Sequence, residues 1–343
     1  MQILRAESLR TRNTLRLESH AAALAEVSSA AELNHALDWA QAQGLPAVPL
    51  GTGSNVVLVG DLNALVVCQR GSDMELLGEQ GDTVLLRVSA GHDWHQLVQR
   101  TLEAGFYGLE NLALIPGTVG AAPIQNIGAY GVELERFVKA VHAVEIASGR
   151  AMTLSAGDCG FGYRDSVFKG ELRDKLVITA VDLRLSRQPR PQLGYRALRN
   201  ELEGAGIDDP QPEDVFRAVV AVRSRRLPDP AREPNAGSFF KNPVLEATAA
   251  ASLQGQHPDV PVYPQADGRA KIPAAWLIDR AGWKGQRRGG VGVHPGHALV
   301  LVNYQSDSGT ELLALADEIA ASVKARFDVA LEPEPRIYGQ PGE

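Results

Sequence analysis

Apolar residues recur along this chain in two rhythms, short β-rich runs and longer helical stripes. Leu33, Ala36, Leu37 and Ala40 fall at spacings of three and four behind Ser29, and Glu32 stands where a capping box places its carboxylate. Gly44 supplies the stop. Apolar runs at 47–50, 56–59, 65–68 and 84–88 predict strands, the first two joined by a tight glycine-rich turn. Asp93 predicts the cap of a second helix, with Gln96 reaching back, an apolar face of Leu97, Val98, Thr101 and Leu102, and an end at Gly105. Residues 72–187 alternate β-rich runs with glycine turns, as a mixed α+β domain does. Pro189 and Pro191 mark a linker. Pro212 then opens a helix carrying Val215, Val219 and Val222, with Glu213 and Asp214 at its positive end. Pro228 and Pro230 close it. The remainder reads as helix (273–280), strand (299–302) and helix (311–327), the last with Leu312, Leu315, Ile319, Val323 and Phe327 on one face.

A length of 343 residues exceeds one ordinary core and suggests two or three domains. The 44% apolar and 22% charged composition is that of a globular chain, and the net charge of −7 argues against nucleic acid as a partner. Residues 223–288 nevertheless hold 11 basic against 6 acidic side chains, a local excess suited to a small anion. The two cysteines, Cys68 and Cys159, lack metal or disulfide spacing and fit a reducing cytoplasm. No metal site is expected: His92 and His95, and His294 and His297, are three apart but have no further ligands, and read as structural or surface residues. Neither a signal peptide nor a membrane-spanning segment is expected, and a monomer is the expectation.

Three stretches carry candidate chemistry. Gly51, Thr52, Gly53, Ser54 and Asn55 sit between two strands and read either as a tight β-turn or as a nest for a diphosphate. Residues 115–131 hold Gly117, Thr118, Gly120, Ala121, Ala122, Ile127 and Gly128 beside Gln125 and Asn126, a density of small residues that admits a flat polar ligand close to the backbone. Together they suggest a ligand with a diphosphate and a large ring system. Residues 235–243 place Ser238 among small residues, with Phe239, Phe240, Lys241 and Asn242 behind it. Tyr163 and Arg164 follow a glycine; an isolated arginine is most often a surface residue, although its fork suits a carboxylate. Prolines 333 and 335 hold Glu332 and Glu334 out of helix.

Taken in order, these segments resemble the UDP-N-acetylenolpyruvoylglucosamine reductases over nearly the whole chain, in the subtype whose tyrosine loop (here around Tyr195) covers the substrate. The resemblance implies an α+β fold: a two-lobed, PCMH-type FAD-binding domain (lobes 1–70 and 71–220) and a separate α+β substrate-binding domain (221–330). A tail, 331–343, returns to the active site. It implies NADPH as reductant, FAD as cofactor and a small nucleotide sugar as substrate. By resemblance Ser238 is the proton donor, and Arg164 and Glu334 attend the substrate carboxylate; a glutamate beside an anion is expected in its acid form, with its carboxyl raised. The segments at 51–55 and 115–131, with Tyr163 and Arg336, are implied to hold FAD. Tyr195, Arg226, Lys241, Asn242, Tyr263 and Lys271 are implied to touch the substrate, Arg226 standing where the family usually carries lysine. Two rival readings are another flavin oxidoreductase on the same scaffold and a nucleotide-sugar-binding module without turnover. The Ser238 and Tyr195 segments argue against the first, and the intact Arg164, Ser238 and Glu334 against the second.

Overall fold

The Ser29 cap forms as its side chain dictates: the hydroxyl accepts the Glu32 N–H, and the first helix, α1 (Ala30–Gln43), ends at Gly44 in the left-handed conformation. The Glu32 carboxylate reaches the N–H of Ser28 at 2.7 Å, one residue before the donor a capping box uses. In this computed structural model residues 1–340 are described, and the last three residues of the predicted tail lie outside them. The chain forms two compact units whose segments interleave in sequence. Unit 1 takes residues 1–7, 21–53 and 63–225; unit 2 takes 8–20, 54–62 and 226 onward.

In unit 1 a four-stranded sheet runs in the order Ile3–Ser8, His20–Val27, Leu62–Gln69, Ala47–Pro49. The predicted face of α1 packs with Ala23, Ala25, Val27, Leu65 and Val67 of that sheet. A five-stranded antiparallel sheet has the order Ala151–Ser155, Val138–Glu145, Leu176–Ser186, Thr83–Ser89, Met74–Gln80. Its core takes in helix α2 (Trp94–Glu103), Leu198 and Leu202 of α3 (Arg196–Gly204), and Val215 and Val219 of α4 (Pro212–Arg226). Asp93 caps α2 by accepting the Gln96 N–H at 2.8 Å; Leu97, Val98 and Thr101 are buried, and Leu102 is half-buried.

One polar network rides on the five-stranded sheet. Asp182 accepts two hydrogen bonds from the Arg87 guanidinium, at 2.8 and 2.9 Å, and its second oxygen lies 2.9 Å from His142 Nε2. Burial alone would push the Asp182 carboxyl up, but the bonds from Arg87 and His142 together outweigh it and hold the group below its ordinary value. The stability this supplies is therefore present above the unfolded carboxylate range and lost as pH falls through the depressed folded value. Arg87→Ala is expected to cost about 2 kcal/mol at neutral pH. In urea titrations the deficit should shrink as Asp182 protonates at low pH; a deficit that stays constant with pH would rule out the ion pair as its source.

In unit 2 an antiparallel sheet runs Asn235–Ser238, Val300–Asn303, Val291–Val293, Arg287–Arg288. Helices α5 (Ala247–Gln256), α6 (Ala274–Arg280) and α7 (Gly309–Phe327) follow in chain order, and α7 buries the five predicted apolar positions. Gly309 sits so close to Leu58 that an added Cβ would lie 2.0 Å from its carbonyl oxygen. A small sheet joins Val244–Leu245, Ala270–Lys271 and Tyr263–Pro264. Arg336–Tyr338 pairs in parallel with Val56–Leu58.

That last pairing, with the one before the turn, decides what the Gly51–Asn55 turn joins. The strand before it, Ala47–Pro49, pairs with Leu62–Gln69, and the strand after it pairs with the chain's end. The turn is a crossing point from one sheet to another. Neither histidine pair shares a helix. His92 precedes α2, while His294 and His297 lie between strands. His95 is held by its ring, which accepts the Leu114 N–H at 3.0 Å and stacks on Phe216 with centroids 5.6 Å apart. Among the described residues no group of three or more His, Cys, Asp or Glu side chains is arranged for a metal, and no helix is long and apolar enough to cross a membrane.

Candidate functional site

Unit 1 brings its two glycine-rich segments side by side. A Cβ on Gly51 would lie 2.9 Å from the Thr118 hydroxyl oxygen and 3.8 Å from the Ala121 Cβ. Gly53 takes a left-handed φ of 64° and Gly117 one of 132°. The second segment is stitched to the chain before α2: Trp94 donates to the Gly117 carbonyl, Val119 to that of His92, and Gly120 to that of Ala90. Ala121 and Ala122 close a turn on the Thr118 carbonyl, and Ile127, buried, donates to the Ala122 carbonyl. The backbone N–H groups of Gly51, Thr52 and Thr118 are committed to no hydrogen bond among the described residues. Three uncommitted amide donors around adjacent glycine turns form a cradle of the kind that takes the pyrophosphate of a dinucleotide. The residues present therefore fit FAD.

The cradle tolerates no bulk. A Cβ on Gly120 would stand 2.6 Å from the Ala90 Cβ and 3.2 Å from its backbone. Gly120→Ala is expected to push this segment off the Ala90–Trp94 stretch and to lower the flavin retained per folded chain several-fold. Absorbance of the purified protein at 450 nm relative to 280 nm checks this; full flavin content would remove the segment's role.

The arginine segment is built under strain. Arg164 has φ 55° and Tyr130 φ 49°, and Asn126 and Leu114 are left-handed as well. Each such non-glycine residue costs about 1–2 kcal/mol, a cost tolerated where the surrounding structure fixes the geometry. Here Arg164 Nη2 donates to the Gly128 carbonyl at 2.8 Å, and the guanidinium lies 5.4 Å from the Tyr163 ring centroid. Tyr195 is the residue that precedes α3; it is 44% exposed, and its ring meets Tyr130 edge-on at 5.2 Å. Buried Asn111 pins both tyrosine segments, its amide donating to the carbonyls of Tyr130 and Gln192. Next to it Glu110 accepts the Gly108 N–H with both oxygens, and burial pushes its carboxyl above the ordinary range.

Unit 2 holds Ser54, Asn55, Arg226, Ser238, Lys241, Asn242, Tyr263, Lys271, Glu334 and Arg336. Ser238 lies opposite Val300 at the end of a strand whose register slips between Asn235 and Ser238. Gly237, at φ 71°, makes the slip, and a bulge of this kind re-aims the side chain that follows it. Asn235 fixes the bulge: its side-chain oxygen accepts the Gly237 N–H at 2.8 Å, its amide donates to the Pro228 and Glu233 carbonyls, and its own carbonyl accepts the Thr14 hydroxyl at 2.6 Å. The Ser238 hydroxyl is half-buried and makes no hydrogen bond among the described residues. Phe239 and Phe240 are buried and pack edge-on at 5.3 Å, so they anchor the serine and carry no chemistry.

The chain's end reaches the same strand. The Glu334 N–H donates to the Phe239 carbonyl at 2.8 Å, Phe240 and Pro333 form a bridge, and Lys241 donates its N–H to Glu332. Ser238 and Glu334 are thus brought together on neighbouring backbones. The Arg336 N–H donates to the Asn55 carbonyl at 3.0 Å, and Asn55 Nδ2 donates to the Glu334 carbonyl. Lys241 Nζ is ion-paired with Glu332, and the Asn242 side-chain oxygen accepts the Ala274 N–H at 2.9 Å, at the start of α6. Lys271 pairs in register with Val244 and Tyr263, and Tyr263 is 53% exposed. Arg226 ends α4 and adds its charge to a burial-driven downward shift of the His297 imidazole. Asn111 and Asn235 are absent from the site residues expected from sequence. Both lie in segments that carry the family resemblance, 110–112 and 235–243, but neither was given a role there.

Both parts of the chain are similar to known protein families. A family described as UDP-N-acetylenolpyruvoylglucosamine reductase, C-terminal domain, matches residues 229–338, and an FAD-binding domain family matches residues 21–155. The chain is 49% identical to the UDP-N-acetylenolpyruvoylglucosamine reductase of Chromobacterium violaceum over 330 residues, 96% of this chain and 97% of that one. Identity to the Pseudomonas aeruginosa protein of the same name is 47% over 96% and 97% of the two chains. The crystal structure of the Thermus caldophilus UDP-N-acetylenolpyruvylglucosamine reductase shares the fold, with a TM-score of 0.67 at 24% identity, covering 98% of each chain.

Proposed function

We propose the roles below on the premise that the chain belongs to the UDP-N-acetylenolpyruvoylglucosamine reductase family. It is an FAD-dependent oxidoreductase that uses NADPH to reduce UDP-N-acetyl-3-O-(1-carboxyvinyl)-glucosamine to UDP-N-acetylmuramate, a step of bacterial peptidoglycan precursor synthesis. FAD, when bound, supplies the hydride that NADPH delivers and the vinyl CH₂ carbon receives. The backbone donors of Gly51, Thr52 and Thr118 hold its diphosphate, with Gly53, Ser54, Asn55, Gly117, Gly120, Ala121, Ala122, Ile127, Gly128, Tyr163 and Arg336 completing the binding set.

Ser238 donates its hydroxyl proton to the carbon next to the carboxylate as negative charge develops there. The observation that carries this role is a hydroxyl that directly follows a pinned bulge and makes no hydrogen bond among the described residues. A serine is a weak acid in water, but the enolate it faces is a much stronger base, so the transfer is downhill. Arg164 binds the substrate carboxylate through its fork, and Glu334, in its acid form, donates a hydrogen bond to the same group. Tyr195, Arg226, Lys241, Asn242, Tyr263 and Lys271 take the nucleotide-sugar portion; for Lys241 this means exchanging Glu332 for the ligand. The protein acts as a cytoplasmic monomer, built as FAD lobes 1–70 and 71–220, a substrate domain 221–330 and a tail 331–343.

Isotope labelling tests the reaction. In D₂O the product should carry deuterium on the carbon next to the carboxylate, which receives its hydrogen as a proton. Absence of label at that carbon would remove the reading.

A further inference from the structure

We propose that Asn111 is the positioning residue of the tyrosine loop, its amide group tethering the chain so that the Tyr195 ring stands where it covers the substrate. The inference rests on the reductase reading above, and every residue it uses belongs to unit 1. Residues 189–194 form no helix or strand. Among the described residues their only hydrogen bond to the rest of the chain is the one that the Gln192 carbonyl accepts from Asn111 Nδ2, at 2.9 Å. Beyond the loop, Leu198 and Leu202 seat α3 in the core. Tyr195 lies between these two anchors and opens α3 with no side-chain cap bond. The same Asn111 amide donates at 3.1 Å to the carbonyl of Tyr130, the residue whose ring meets Tyr195 edge-on.

Asn111 itself stands on a fixed turn. Glu110 before it takes the Gly108 N–H with both oxygens, and the Trp94 indole donates to the carbonyl of Leu112 after it, at 2.9 Å. The side chain is 1% exposed, so water does not compete for its bonds. Two carbonyls converging on one point demand two N–H groups on one atom, and asparagine is the shortest side chain that supplies them. Its Oδ1 is buried with no hydrogen-bond partner, a cost that a residue kept for packing alone would not carry. The polar group is therefore there for its donors, and its donors hold the two tyrosine segments.

The test uses the full-length holoenzyme with Asn111→Ala, Tyr195→Ala and the double variant. Asn111→Ala should keep its flavin, and its Kd for UDP-N-acetyl-3-O-(1-carboxyvinyl)-glucosamine, read from flavin absorbance, should rise about tenfold. In the Tyr195→Ala background the same change should raise Kd less than about twofold, because the ring it positions is gone. Trypsin reads the tether without any substrate. Cleavage after Arg196, exposed at the start of α3, should quicken about fivefold in Asn111→Ala, because the untethered loop lets the first turn fray. An unmoved Kd, an equal rise in both backgrounds or an unmoved cleavage rate overturns the proposal. An Asn111→Ala chain that does not fold or loses its flavin overturns it as well, since the residue is then scaffold. So does a Tyr195→Ala variant that binds the substrate as tightly as the parent. Failure of the reductase reading is separate: the unaltered protein then shows no absorbance change with the substrate, whatever the cleavage rates.

Discussion

Ser238→Ala is expected to leave reduction of the bound flavin by NADPH unchanged and to slow substrate reduction by about 10²–10⁴-fold, the usual contribution of a placed proton donor. The split between half-reactions is the diagnostic part. Ser238 sits at the end of an edge strand, after a bulge fixed by Asn235, so removing one oxygen leaves the backbone bonds around it in place. Phe239 and Phe240 keep their packing. Stopped-flow absorbance separates the two steps, and equal slowing of both would make the serine a structural residue. Asn235→Ala offers a graded comparison, since it frees the bulge while keeping the hydroxyl.

Arg164→Gly should cost far more in rate than in stability. The residue is held at φ 55°, where glycine is at ease and arginine is strained, so relief of that strain offsets part of what is lost with the side chain, its bond to Gly128 and its contact with Tyr163 included, and the variant should stay folded. Substrate reduction should nevertheless fall by about 10²–10³-fold, because the charge that forms on the substrate carboxylate loses its fork. A variant that unfolds would place Arg164 in the scaffold; one that keeps full activity would remove it from the chemistry.

The sequence was most legible where one residue type answers one physical demand. Ser29, Asp93, Gly44 and Pro212 mark helix ends because capping and left-handed geometry leave few alternatives, and the structure has all of them in those places. The strand Ile3–Ser8, with its half-buried pattern, and the alanine-rich helix Ala247–Gln256 went unread because neither presents a clean apolar period. The Gly51–Asn55 segment shows the other limit. Its glycines announced a turn, but only long-range pairing of Val56–Leu58 with residues 336–338 decides that the strands on either side of it part company. For the site, the chemical groups were legible and their supports were not. Asn111 and Asn235 act through backbone carbonyls remote in sequence, which no local pattern encodes. Lys241 and Asn242, expected as polar neighbours of the serine, already serve Glu332 and the start of α6.

One chain passes electrons from NADPH through FAD to an enolpyruvyl nucleotide sugar, and anaerobic absorbance of the purified holoenzyme near 450 nm follows each transfer. The band should bleach on adding NADPH and return in full on adding UDP-N-acetyl-3-O-(1-carboxyvinyl)-glucosamine, with UDP-N-acetylmuramate formed in equal amount. A protein that binds no flavin, or one that bleaches and is not reoxidised by this substrate, would contradict it.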